Sequence, residues 1–405
     1  MAGTPTSPGT PGTPRVLRAM NDRAALDLLV AHGPLSRTRI GKLTGLSKPT
    51  ASQLLARLEA AGLVLATGTT AGRPGPNAQL YAVNPAAAHV AGLDVTTERI
   101  RAAVADITGR VTGVFELATP GRRGHGGAVE QVVQAVDGAA EAAGLHRTDL
   151  HRIVVGTPGA FDPSTGRLRY ASHLPGWHSP ALLEELAAAL PVPLEYDNDV
   201  NLAAVAEQRL GAARGHDDFV LLWNEEGIGA AIVIGGRLHR GWTGGAGEVG
   251  FMPVPGTPLV RHVAKANAGG FQELAGCNAV LRVARELGLP VPRGTQAEGA
   301  CALLAAAAGT AGGAHAELLR RVATGLAVGL ASLVTVLDPE LIVLAGGVIA
   351  AGGEPLRSLV QSELAELAVP RPRLVLGGVP DDPVLSGALQ SALATTRDEV
   401  FDTSR

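Results

Sequence analysis

The sequence predicts a small winged helix-turn-helix domain followed by a large two-lobed α/β domain. Three observations carry this. The chain has 405 residues, too many for one ordinary core, and 46% hydrophobic with 18% charged residues mark it as folded throughout most of its length. Its charge is divided: residues 15–84 hold nine basic side chains (Arg15, Arg18, Arg23, Arg37, Arg39, Lys42, Lys48, Arg57, Arg73) against Asp22, Asp27 and Glu59, so the net charge there is +6 while the whole chain is −3. Apolar periodicity also changes along the chain, from helical spacing before residue 60 to strand and helix alternation after residue 90. A basic small module on an acidic large one points to a polyanion partner for the first part only.

The opening MAGTPTSPGTPGTP has neither charge nor an apolar core, which predicts a disordered tail over residues 1–14. Residues 15–85 form the predicted winged helix-turn-helix. Ala24, Leu26, Leu28 and Leu29 give a helix from Asn21 to Gly33. Ser36 is placed to cap a short helix through Leu43, and Gly45 allows the tight turn that follows. Ser47 caps the next helix, with Pro49 tolerated in its first turn. There Ala51, Leu54, Leu55 and Leu58 fall on one face. The other face offers Lys48, Thr50, Ser52, Gln53 and Arg57, groups able to hydrogen-bond base edges and phosphates in a major groove. A glycine-rich wing within residues 67–83 carries Arg73, suited to a narrow minor groove. The expected DNA-binding set is therefore Arg37, Ser47, Lys48, Thr50, Ser52, Gln53, Arg57 and Arg73.

Residues 86–405 read as the two-lobed domain. A strand, a polar turn and a second alternating strand occupy 90–110, then come a helix at Ala128–Ala143 and a strand at Ile153–Gly156. A strand at Leu194–Asp197 precedes a helix starting near Asn201. Strands Phe219–Trp223 and Ile228–Ile234 form a hairpin, and strands Leu341–Leu344 and Arg373–Leu376 alternate with helices. Ligands of such folds bind at strand ends, in the cleft. The apolar run Val322–Leu337 has 16 residues and stops at Asp338, short of the ~20 needed to span a membrane, so it reads as a buried core helix. Two cysteines, Cys277 and Cys301, cannot make a disulfide framework and fit a reducing cytosol; the expected location is cytoplasmic.

At this point the segments GLDVTTERIRAAVADITGRV, VVGTPGAFDPSTG, LEYDNDVNLAAVAE, GIGAAIVIGGRLHRGWTGGAGEVGFMPV, GGFQEL and LIVLAGGV resemble the ROK family (repressors, open reading frames, sugar kinases), a branch of the actin-like ATPase fold, over residues 16–395. The resemblance implies a sugar site made by Asn198, Asp199, Glu248 and Glu273, with His173 nearby. Carboxylates that accept neighbouring hydroxyls suit a polyol. It also implies what has been lost. The kinases open with a glycine-rich phosphate turn; here Asp94 is followed by Val95, Thr96, Thr97 and Glu98. Their second phosphate loop becomes Glu225, Glu226, Gly227, Ile228 and Gly229. A like charge at ~4 Å costs roughly 4 kcal/mol at an effective dielectric of 20, so such a pocket repels triphosphate. Of the nucleotide turns, Ala345-Gly346-Gly347 alone keeps an ordinary sequence. The family's structural zinc lacks ligands: Phe251 and Phe271 stand where a histidine and a cysteine belong, and His262 cannot replace them.

The expected protein is a DNA-binding regulator without catalytic residues, metal or cofactor. Its partners are a double-stranded operator, a sugar effector and its own copies in a homodimer or homotetramer, with no membrane. The alternatives are an active carbohydrate kinase with an appended DNA-binding domain, for which Asp199 speaks, and a ligand-blind regulator that uses the fold for oligomerisation.

Overall fold

A computed structural model describes residues 14–69, 78–119, 127–162, 167–169, 177, 181–261 and 269–403. The expected tail, Arg73, His173 and His262 therefore lie outside the described residues, apart from Pro14, which opens a helix.

The first helix, α1, spans Pro14–His32 and so starts seven residues before the predicted Asn21. Proline is favoured at a helix start, but this first stretch buries nothing: Val16, Leu17 and Met20 are exposed, so no apolar stripe announced it. Strand β1 (Leu35–Ser36), α2 (Arg37–Thr44) and α3 (Lys48–Ala60) follow, then β2 (Val64–Thr69) and β3 (Gln79–Val83). The strands form a sheet in the order β1-β3-β2. Ala25, Leu26, Leu29, Ile40, Leu54, Leu55 and Leu58 pack beneath it.

Strands β4 (His89–Val95), β5 (Arg99–Asp106) and β6 (Val111–Ala118) make an antiparallel meander. After α4 (Ala128–Ala142), β7 (Leu150–Thr157) joins β4 in parallel. A short hairpin, β8 (Ala160–Asp162) and β9 (Arg167–Arg169), and α5 (Leu182–Ala189) lead to β10 (Leu194–Asn198), which completes the sheet β10-β7-β4-β5-β6. Because βαβ connections place helices on the faces, β7 is buried on both sides from Arg152 to Thr157, with the apolar run Ile153–Val155 at its centre.

Helix α6 (Asp199–Arg209) then crosses to the second lobe. There β11 (Phe219–Asn224), β12 (Ile228–Ile234) and β13 (Arg237–Leu238) precede, among the described residues, five helices and two strands. These are α7 (Phe271–Ala275), α8 (Cys277–Glu286), α9 (Gln296–Ala308), α10 (Gly313–Leu337), β14 (Leu341–Ala345), α11 (Gly347–Leu367) and β15 (Arg373–Leu376). The sheet order is β13-β12-β11-β14-β15. Helix α10 is apolar and long enough to cross a membrane by length and composition, yet 56% of that window is buried, against the core of this lobe. Helix α12 (Pro383–Val400) returns to the first lobe, packing against β4, β7 and α6. The lobes are thus connected through α6 and α12, and the cleft between them is where Asp94 of the first lobe comes near Asp199, Glu225 and Glu248.

Candidate functional site

The helix-turn-helix is built as its sequence demands. The Arg39 N–H donates to Ser36 Oγ (3.3 Å), and the Thr50 N–H donates to Ser47 Oγ (3.4 Å). Between them Gly45 takes the left-handed backbone (φ +73°) that a residue with Cβ resists. Ser47, Lys48, Thr50 and Gln53 are exposed along one face of α3. Arg37 donates to Ser52 Oγ (3.0 Å) and ties α2 to α3. Arg57, also exposed, has a partner inside the domain. Its guanidinium turns back to Asp22 Oδ1 (2.6 Å), a carboxylate only 3% exposed on α1. A buried charge needs a partner, so Arg57 braces the domain. Sequence reading missed Asp22, although the signal was there: it lies on the apolar stripe with Ala25, Leu26 and Leu29.

These two kinds of residue are expected to part on mutation. Gln53→Ala lowers DNA affinity and relaxes sequence preference without changing the melting temperature. Arg57→Met lowers the melting temperature, because the Asp22 carboxylate is left buried without its countercharge. Electrophoretic retardation and thermal denaturation of both variants check this; equal melting temperatures would contradict the assignment of Arg57.

In the cleft, Asn198 and Asp199 stand where β10 becomes α6. Asn198 is the helix cap: its Oδ1 accepts from Val200 N–H (2.9 Å) and Asn201 N–H (3.2 Å), and its Nδ2 donates to the Gly159 carbonyl (3.0 Å). The cap explains why α6 starts two residues before the predicted Asn201. Asp199 is pushed up to about 7, first by burial, opposed by a hydrogen bond from Val200 N–H and aided by the charges of Asp94, Glu248 and Glu225. Asp94 is itself raised to about 6, by burial before any other cause. Desolvation lifts Glu248, and desolvation plus the charge of Glu226 lifts Glu225, although much of the Glu225 side chain is open. The structure therefore gathers Asp94, Asp199, Glu225 and Glu248. Glu273 sits on the first turn of α7, with Oε1 accepting from Gly269 N–H (3.4 Å). Among the described residues no cluster of three His, Cys, Asp or Glu is arranged to hold a metal.

The turns beside these acids are closed by hydrogen bonds within the chain. Thr96 Oγ1 accepts from the N–H groups of Glu98 (3.3 Å) and Arg99 (3.1 Å). At the second turn Glu225 N–H donates to the Gly227 carbonyl (3.1 Å), and Cys277 Sγ–H donates to the Glu225 carbonyl (2.6 Å). Next to it, Gly346 (φ +92°) lies so close to Asn224 that a Cβ would meet its carbonyl oxygen at 2.4 Å. A Cβ on Gly347 would lie 3.6 Å from Glu225 Oε1, so that carboxylate stands at the start of α11.

A further pairing escaped the sequence. Asp197, 9% exposed, accepts from Asn198 N–H and Asn201 Nδ2 on one oxygen and from Arg240 Nη2 (2.6 Å) on the other. Arg240 follows β13, so this pair joins the second lobe to β10, the strand that ends at Asn198. A cavity of about 610 Å³ flanks the pair, lined by Leu183, Glu195, Tyr196, Asp197 and Arg240 among others, and the cleft acids do not line it.

Comparison with known proteins places these features. The ROK family pattern matches residues 90–394, and the MarR family pattern matches residues 20–73. A putative xylose repressor of Caldicellulosiruptor sp. (strain Rt8B.4) is 25% identical over 335 residues, covering 81% of this chain and 83% of that protein. A glucokinase of Halalkalibacterium halodurans is 28% identical over 291 residues, 69% of this chain and 86% of that one. The crystal structure of a ROK family transcriptional regulator, a homologue of the E. coli MLC protein, superposes with a TM-score of 0.70 at 20% identity. It covers 96% of this chain and 98% of its own, a likeness of fold.

Proposed function

The chain belongs to the ROK family, and from that premise we propose that it is a DNA-binding transcription regulator, a repressor, whose cleft senses a sugar and does not phosphorylate it. In this reading residues 15–85 bind the operator, and residues 86–405 bind the effector and assemble the oligomer. The observation that supports it is the coexistence, in one chain, of an exposed polar face on the capped helix α3 with a group of acids whose neighbouring turns have N–H groups already bonded within the chain. Phosphoryl transfer is largely positioning and charge stabilisation around the phosphates. Here the N–H groups of Glu98 and Arg99 are already satisfied by Thr96, and the Glu225 carboxylate stands where α11 would greet an anion. Asp199 and Glu248, by contrast, remain able to accept sugar hydroxyls. The putative xylose repressor likeness agrees with a pentose or related sugar as effector.

One observation favours a kinase: Asp199, held at about 7, has the proton affinity of a general base, and glucokinases are among the relatives. A coupled assay with ATP–magnesium over a panel led by D-xylose and D-glucose separates the two. The expected result is no turnover, together with a thermal shift from at least one sugar. Turnover lost in Asp199→Ala would establish the kinase, and no shift from any sugar would favour a ligand-blind regulator.

A further inference from the structure

Helix α12 touches both the cleft and the DNA-binding module. At its start Asp382 takes a left-handed backbone (φ +45°) unusual for a residue with Cβ, and it is held there by ion pairs with Arg101 and with Arg99 (3.7 Å) on β5. The charges of Arg99, Arg101 and Asp382 all act on Asp94, which places this end of the helix at the cleft acids. The body of α12 lies directly on the other crossover helix. A Cβ on Gly387 would meet the Leu202 carbonyl oxygen at 1.8 Å, and one on Gly156 would meet Val384 at 2.7 Å and Leu202 at 2.8 Å. Backbone against backbone leaves little slack, so a shift of α6, which begins at Asp199, displaces α12.

The far end of α12, about 27 Å away at 1.5 Å per residue, enters the winged helix. Phe401 is fully buried in one core with Ala25, Leu26, Leu29, Ile40, Leu54 and Leu58. Arg397 Nε donates to the Ile107 carbonyl (2.9 Å), and Asp398 pairs with Arg23 on α1 (2.7 Å). Thr403 Oγ1 donates to Asp22 Oδ2 (3.1 Å), while the other oxygen of Asp22 holds Arg57 of α3. An unbroken series of contacts therefore runs from Asp382 to the recognition helix.

We propose that α12 is the element that transmits cleft closure to the DNA-binding module: Asp382 registers the state of the cleft, and Phe401 and Thr403 set the seat of α1 and α3. The proposal deepens the reading of a sugar-responsive regulator and rests on it for its biological sense. Its physical content stands without a ligand. Both lobes hinge on α6 and α12, so relative rotation must strain these two connections. Of the two, α12 extends into another domain. Asp22 bridges Thr403 and Arg57, which gives the last step a specific atom.

Two experiments on the full chain decide the matter. The first uses no ligand. Asp382→Asn keeps the size and the left-handed preference while removing the charge held by Arg101. Hydrogen exchange is expected to become several-fold faster in peptides from α1 and α3, with β14 and β15 unchanged. Changes confined to residues 94–101 and the first turn of α12 would overturn the proposal. The second uses Phe401→Leu combined with Thr403→Ala, a mild pair that preserves most of the core volume. D-xylose, or whichever sugar shifts the melting temperature of the parent, is expected to shift that of the variant equally but no longer to change its DNA affinity. A preserved DNA response would overturn the proposal. If no sugar acts on the parent, the effector reading falls, and the exchange experiment still decides the role of α12.

Discussion

Asp199→Asn is expected to raise the melting temperature of the free protein at pH 7.5 and to abolish its response to sugar. Burial and the charges of Asp94, Glu248 and Glu225 lift Asp199 from the usual 3.8 to about 7, so the folded protein holds this proton more tightly than the unfolded chain does. The sign follows by linkage. A carboxyl raised in the folded state favours folding fully below about pH 4 and loses that contribution as pH rises through about 7. Asp94, raised to about 6, acts in the same window. The free protein should therefore be more stable at pH 5.5 than at pH 7.5. Asparagine can still accept from Val200 N–H, the bond that Asp199 Oδ1 makes at 2.8 Å, and it carries no charge, so the variant regains of the order of 1–3 kcal/mol at pH 7.5. It cannot accept two neighbouring hydroxyls as a carboxylate does, so the sugar-dependent shift disappears. Stability gained where function is lost is the mark of a site kept under strain for binding. Scanning calorimetry at both pH values, with and without sugar, checks this. A variant less stable than the parent at pH 7.5, or one that keeps the sugar shift, would contradict it.

Glu207→Ala is expected to destabilise the chain by about 3 kcal/mol. Glu207 is 1% exposed near the end of α6, and its carboxylate accepts from Ala212 N–H (2.7 Å), Gly378 N–H (3.0 Å) and Val379 N–H (2.9 Å). It thereby pins the end of one crossover helix to the loop that leads into the other. Hydrogen bonds to a charged group contribute about 1.5–3 kcal/mol each. Gly378 is exposed and Ala212 and Val379 are half-buried, so water recovers part of the loss, which brings three such bonds down to about 3 kcal/mol. Glu207→Gln, which keeps one acceptor, should fall between. Urea denaturation measures both; a loss below about 1 kcal/mol for the alanine variant would contradict the role of Glu207 as the hinge clamp.

Local rules were legible in the sequence where local physics decides the outcome. Ser36, Gly45 and Ser47 act within a few residues of themselves, and the stripe Ala51, Leu54, Leu55, Leu58 buries as its spacing dictates. The two-lobed α/β architecture followed from alternation and from the family resemblance together, whereas the order of strands within each sheet came only from the structure. Long-range pairings were not legible. Arg101 meets Asp382 from 281 residues away, and Thr403 meets Asp22 from 381; no periodicity records such distances. Asp197, Arg240 and Glu207 were overlooked for the same reason. At the cleft, Asn198 and Asp199 were named from the resemblance, but only geometry divides them into a cap and an acid. Asp94 was read as part of a damaged phosphate turn, and its burial among the other carboxylates shows it to be one of the cleft acids.

The central claim, that sugar in the cleft sets DNA affinity without phosphoryl transfer, meets its most direct test in one titration. Genomic fragments selected by the protein itself supply a labelled duplex, and fluorescence anisotropy then follows its affinity at fixed salt as D-xylose, D-glucose and related sugars are added, with and without ATP–magnesium. The account predicts that one sugar changes the dissociation constant by about 5- to 150-fold, the range of ordinary allosteric coupling, and that ATP–magnesium makes no difference. An affinity indifferent to every sugar, or one that responds only when ATP is present and phosphorylated sugar accumulates, would contradict it.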